Sequence, residues 1–140
     1  MTASMIYATI IYSLITVLGS IMSAAFTFKP DFGLKFSNSA AGVDLPAVAA
    51  RDKESNRALK FLLGFSASQI LGVDGLSLLI VLIPFRHHET WAWCALLYWP
   101  IMFVWHYIHY DKKSPLSKVQ IVWFVLSFSA LALTYPEFFS

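Results

Sequence analysis

The stretch LLGFSASQILGVDGLSLLIVLIPF, residues 62–85, decides how the chain folds, because its 24 residues contain a single charged side chain, Asp74. A bilayer core of about 30 Å needs roughly 20 apolar residues in a helix, so the stretch reads as a membrane span with an acid near its middle. Three further windows have the same character. Residues 3–28 hold no charge, residues 90–110 hold none but include two histidines, and residues 116–135 hold only Lys118. Of the 140 residues, 58% are hydrophobic and 13% charged, about half the ~25% charge of a soluble domain. The mean hydropathy of +0.65 excludes a disordered or low-complexity chain. The expectation is one all-α domain over residues 1–140, a polytopic four-transmembrane-helix bundle with a long cytoplasmic loop between helices 1 and 2.

Sidedness follows from the distribution of Lys and Arg. The connection 29–61 carries Lys29, Lys35, Arg51, Lys53, Arg57 and Lys60, and the third region carries Lys112, Lys113 and Lys118. The turn 86–89 carries Arg86 alone. The positive-inside rule then places both termini on the non-cytoplasmic face of an integral membrane protein. Residues 3–28 lack a basic leader and exceed the usual apolar core of a signal peptide, so they read as a retained helix. In the long loop, Phe32, Leu34 and Phe36 alternate with polar residues as if lying on the membrane surface. Pro46 is placed to start a helix running through Arg51 to Lys60 into the second span. The basic residues of this loop are interleaved with Asp52 and Glu54, and contact with membrane lipid is expected.

Helices in lipid associate through small residues and side-chain hydrogen bonds. Thr9, Ser13, Thr16, Ser20, Ser23 and Thr27 recur at spacings of three and four and make one hydroxyl stripe. Gly64, Ser68 and Gly72 make a ladder in the second span, and Ser127, Ala130 and Thr134 another stripe in the fourth. These faces suit packing within one chain, a homo-oligomer or partner helices. In the third span, Pro100 cannot donate to the carbonyl of Leu96 and should bend the helix. Eight aromatic residues crowd the same span, forming a wall suited to a flat, apolar ligand.

Asp74 is the residue with the clearest chemical meaning, since a carboxyl group at mid-bilayer costs about 2.5 to 3.5 kcal/mol to insert and is functional by default. At 100° per residue it shares a face with Ala67, Ile70, Ser77 and Leu78, away from the glycine ladder. Counting along the spans puts Tyr98 at the same depth, within reach of a hydrogen bond to it. His88 and Glu89 lie in the turn 86–89, with Glu137 expected at the same membrane face, a set able to act as acid and base. The candidate catalytic residues are therefore Asp74, Tyr98, His88, Glu89 and Glu137, and the candidate substrate contacts are Trp99, Phe103, Trp105 and His106.

No Gly-rich phosphate loop, nucleophile elbow, HExxH spacing or facing pair of mid-depth histidines occurs, so no cofactor and no metal is assigned. The net charge of +2 without a basic face argues against nucleic acid. The size, the four spans and the aromatic wall resemble the small four-helix integral-membrane proteins of fungal secondary-metabolite clusters, some of which act as epoxide hydrolases or cyclases. That resemblance implies acid/base chemistry on a lipophilic small molecule, by epoxide opening or isomerisation, and assigns no catalytic residue. The alternatives are a noncatalytic accessory subunit of a membrane complex and a small-solute carrier, the latter with no internal repeat to support it.

Overall fold

The computed structural model describes all 140 residues, which are 84% helix with no strands. Seven helices follow one another: α1 (Ala3–Phe28), α2 (Pro30–Ala41), α3 (Leu45–Ala49), α4 (Lys53–Leu82), α5 (Thr90–Leu96), α6 (Tyr98–His109) and α7 (Pro115–Phe139). Three of them, α1, α4 and α7, are long and apolar enough to cross a membrane. Their outward faces carry Ile10, Ile21, Phe65, Leu79, Val122 and Leu133, the surface that hydrocarbon requires.

Each boundary has a local cause. Thr2 caps α1, its hydroxyl accepting from the Met5 amide at 3.3 Å. Pro30 denies Lys29 the helical region and starts α2 as its first residue. Gly42, at φ 67°, closes α2 in the left-handed conformation. Asp44 and Asp52 cap α3 and α4 through the amides of Ala47 and Ser55. Pro46 does open a helix, but it stops at Ala49; the expected run through Lys60 into the second span forms only from Lys53, as a separate helix. Asp52 is extended and restarts the chain as α4, because its carboxylate satisfies a free amide of the new first turn.

The third apolar window is divided into α5 and α6 with Leu97 between them. The Leu97 amide turns back to the Cys94 carbonyl at 3.2 Å, and Pro100 leaves the Leu96 carbonyl without its amide four residues on. The long connection is also more ordered than an alternating surface strand. α2 is a helix whose Leu34 is buried, while Phe32 and Phe36 group with Phe26 of α1 at ring separations of 5.4 to 6.2 Å. The Asp111 amide bonds the Ala40 carbonyl at 2.9 Å and Ser39 meets Ser114 at 2.7 Å. These bonds fasten α2 across one end of the bundle.

α1 lies at the centre, packed on α4, α7 and α2, and α6 lies on α7. Its hydroxyl stripe is buried or half-buried throughout, whereas Gly64, Gly72 and Gly75 of α4 meet no neighbour. On α4 the inward face is Ala67, Asp74, Ser77 and Val81. The apolar core gathers toward the end where α1 begins and α7 finishes, around Met5, Tyr12, Val81, Phe85, Leu96 and Leu131.

Candidate functional site: a membrane-depth cavity beside Asp74

Toward the other end, between α1, α4, α6 and α7, lies a partly open cavity of about 290 Å³. It falls at the lower end of the ~300–1,000 Å³ typical of small-molecule sites. Thirteen of its 18 lining residues are hydrophobic, and no Lys or Arg is among them. α2 contributes Phe36 at the side where it crosses the bundle.

Helical phase explains which side chains reach it. On α6, Trp99, Phe103 and His106 are four and three residues apart and share one face, and Tyr110, just past the helix end, also lines the cavity. Trp99 and Phe103 are buried, with rings 6.0 Å apart, and Phe103 stacks on Trp123 of α7 at 6.3 Å. Of the anticipated substrate contacts, Trp99, Phe103 and His106 line the cavity. Trp105, one residue and about 100° from His106, points outward and is 61% exposed.

The same rotation separates Tyr98 from Trp99. Tyr98 is exposed, touches Trp99 edge-on, and makes no hydrogen bond to Asp74. The indole of Trp99 is the group that α6 presents to the cavity instead.

Asp74 is fully buried, and neither carboxyl oxygen makes a hydrogen bond of good geometry within the protein, the Ser23 hydroxyl of α1 being the group that faces it. It sits against the backbone of Gly19, where a Cβ would fall 2.7 Å from Oδ1 and 2.8 Å from Oδ2. A side chain at position 19 would require the Asp74 carboxyl to move. Trp99 Nε1 and Gln120 Oε1 are also buried without a hydrogen bond of good geometry, His106 being the ring that neighbours Gln120, and all three residues line the same cavity.

Gly19 and Gln120 are absent from the sequence-derived set, although a signal for each exists. Gly19 falls on the stripe Tyr12, Thr16, Gly19, Ser23 and Phe26. Gln120 falls on Leu116, Gln120, Trp123, Ser127, Ala130 and Thr134, which extends the recognised small-residue stripe of α7 toward its start.

His88, Glu89 and Glu137 are gathered elsewhere. α4 continues from Asp74 to Leu82, about 12 Å at 1.5 Å per residue, before the turn that contains His88 and Glu89. Glu137 accepts hydrogen bonds from the hydroxyls of Thr2 and Ser4, and His88 Nδ1 lies 3.4 Å from the Glu137 carbonyl oxygen. Glu89 accepts from the Trp91 indole at 2.5 Å. These groups join the turn to the ends of α1 and α7 and do not reach the cavity. No group of three or more His, Cys, Asp and Glu side chains is arranged to hold a metal ion.

Compared with family models, with curated proteins and with solved structures, the chain shows no significant match in any of the three.

Proposed function

We propose that this protein is a membrane-embedded acid/base enzyme acting on a lipophilic small molecule, with Asp74 as its central residue. One observation carries the reading: a fully buried carboxyl without a protein partner borders an aromatic cavity at membrane depth. Membrane proteins bury ionisable groups at a cost and keep them where substrates or protons pass.

The supporting architecture is a four-span bundle in which α5 and α6 together make the fourth crossing. The meeting of Thr2 and Ser4 with Glu137 at one end is what an even number of crossings gives. The Lys and Arg distribution puts the α2 end in the cytoplasm and the termini on the opposite face.

Epoxide opening illustrates the chemistry. Asp74 takes a proton from water as the water oxygen bonds to a ring carbon, the carbon–oxygen bond breaks, and the released oxygen takes a proton from the wall. His106 and Tyr110 are the other titratable groups that line the cavity. A double-bond shift uses the same parts, with Asp74 removing one proton and the wall returning another. His88, Glu89 and Glu137 have no part in it, being bound up at the far end. The resemblance to small membrane enzymes of fungal secondary metabolism agrees with this chemistry.

A noncatalytic accessory role is favoured by one feature, the outward Gly64, Gly72 and Gly75, which leave α4 a face open to close helix approach. Native mass spectrometry in mild detergent separates the readings. The enzyme reading expects a monomer or homo-oligomer that retains a lipophilic adduct. It also expects a lipid extract altered by the wild type and unaltered by Asp74→Asn of the same oligomeric size. Stoichiometric foreign subunits without an adduct would replace it with the accessory role.

A further inference from the structure

Of the five buried side-chain polar atoms without a protein partner, four belong to cavity residues: Asp74 Oδ1 and Oδ2, Trp99 Nε1 and Gln120 Oε1. Each buried polar group left unmatched costs about 1–3 kcal/mol, so their concentration around one space describes what that space is shaped to receive. Trp99 is 3% exposed and Asp74 is wholly buried, so each meets an outside group only by way of the partly open cavity.

The set has a definite polarity. The indole gives a hydrogen bond, the amide oxygen accepts one, and a carboxyl accepts when ionised, as a base must be, and does both when neutral. An alkane answers none of these. An amine with no other function supplies only donors when protonated and leaves the indole unmatched. A hydroxyl can accept from Trp99 Nε1 and donate to Gln120 Oε1, while a second oxygen function exchanges hydrogen bonds with Asp74. The apolar remainder has Phe26, Phe103 and Trp123 to lie against.

We infer that the cavity selects a lipophilic molecule bearing at least two oxygen functions, one of them a hydroxyl, through Trp99, Gln120 and Asp74. This names the substrate class for the cavity of the proposed enzyme and rests on that reading of the site. Trp99 and Gln120 become its specificity-determining residues.

The test measures affinity for purified full-length protein in lipid nanodiscs, corrected for uptake by empty discs. The probes are 1,2-dodecanediol, 1-dodecanol, dodecane and dodecylamine, which share one carbon skeleton. The diol is expected to bind about five- to tenfold more tightly than the alcohol, the equivalent of about one further hydrogen bond. Trp99→Phe and Gln120→Leu should each remove a preference of about that size and leave dodecane affinity unchanged, while Trp105→Phe on the outer face alters neither. Equal affinity for diol and alkane, or tightest binding of dodecylamine as a counter-ion for Asp74, overturns the inference. The wild-type series decides the matter alone should a variant fail to fold. Diol preference without Asp74-dependent turnover keeps the selectivity and removes the enzyme reading. Turnover without diol preference does the reverse.

Discussion

Toward the end where Thr2 and Ser4 meet Glu137, α1, α4 and α7 close around Met5, Tyr12, Phe85 and Leu131; toward α2 the same helices stand apart around Gly19 and Asp74. In the packed half nearly every buried polar group is answered from within. Tyr12 donates to the Ser127 carbonyl at 3.0 Å, Trp93 to the Leu131 carbonyl at 3.1 Å, and Thr16 and Thr134 to carbonyls of their own helices. Thr9 is the exception. In the hollow half an acid, an amide and an indole go unanswered. Polar groups occur in both halves, then, but the packed half pairs them within and between its helices, and the hollow half leaves them facing a cavity.

The contrast is sharpest between the two carboxylates. Glu137 is bonded by two hydroxyls, whereas Asp74 has only the Ser23 hydroxyl facing it, without a bond of good geometry. Asp74→Asn should lower turnover by about 100-fold or more, the scale of general acid–base catalysis, with little change in thermal unfolding. Glu137→Gln should do the opposite, giving a small fall in melting temperature in detergent with turnover retained. If both variants lost activity equally, the division into a structural and a chemical half would fail.

The glycines give the next largest effect. Gly19→Ala drives a methyl group against the Asp74 carboxyl and should cost about 1–3 kcal/mol through displacement of that carboxyl within its buried setting, read as thermal destabilisation. Gly72→Ala meets nothing and should be neutral or stabilising by about 0.5–1 kcal/mol. Destabilisation by Gly72→Ala together with dissociation of an oligomer would move weight to the outer face of α4 as a helix contact.

The smallest effect is expected at Asp52, outside the bundle. The Ser55 amide and hydroxyl, each 2.7 Å from its carboxylate, hold its pKa below the ordinary Asp value. A lowered folded-state pKa means that this cap contributes above the ordinary carboxylate range and is lost as pH falls through the lowered value. Amide hydrogen exchange at the start of α4 should therefore quicken on acidification in the wild type, and be quick at every pH in Asp52→Ala. No change in either case would show that the cap is idle.

The helical class, the apolar windows and the separation of Asp74 from the glycine ladder were all legible in residue spacing, because lipid forces the backbone to bond within each helix and leaves periodicity to state which face is which. The choice between neighbours on α6 was not. Tyr98 and Trp99, like Trp105 and His106, have similar credentials in sequence, and the turn at Leu97 with Pro100 sets the phase that brings Trp99 and His106 inward. Depth was legible too: Asp74 reads as mid-span and His88, Glu89 and Glu137 as groups of one membrane face, and the fold keeps that division, with His88 Nδ1 3.4 Å from the Glu137 carbonyl oxygen and Asp74 on the cavity.

What the sequence determined by itself is the all-helical, lipid-suited character of the chain and the oddity of one acid within a span, since both follow from local composition and a fixed 3.6-residue period. The tertiary structure alone decided that Asp74 lies on Gly19 and shares a space with Trp99 and Gln120. These residues are far apart in the chain, and only the crossing and spacing of α1, α4, α6 and α7 bring them together.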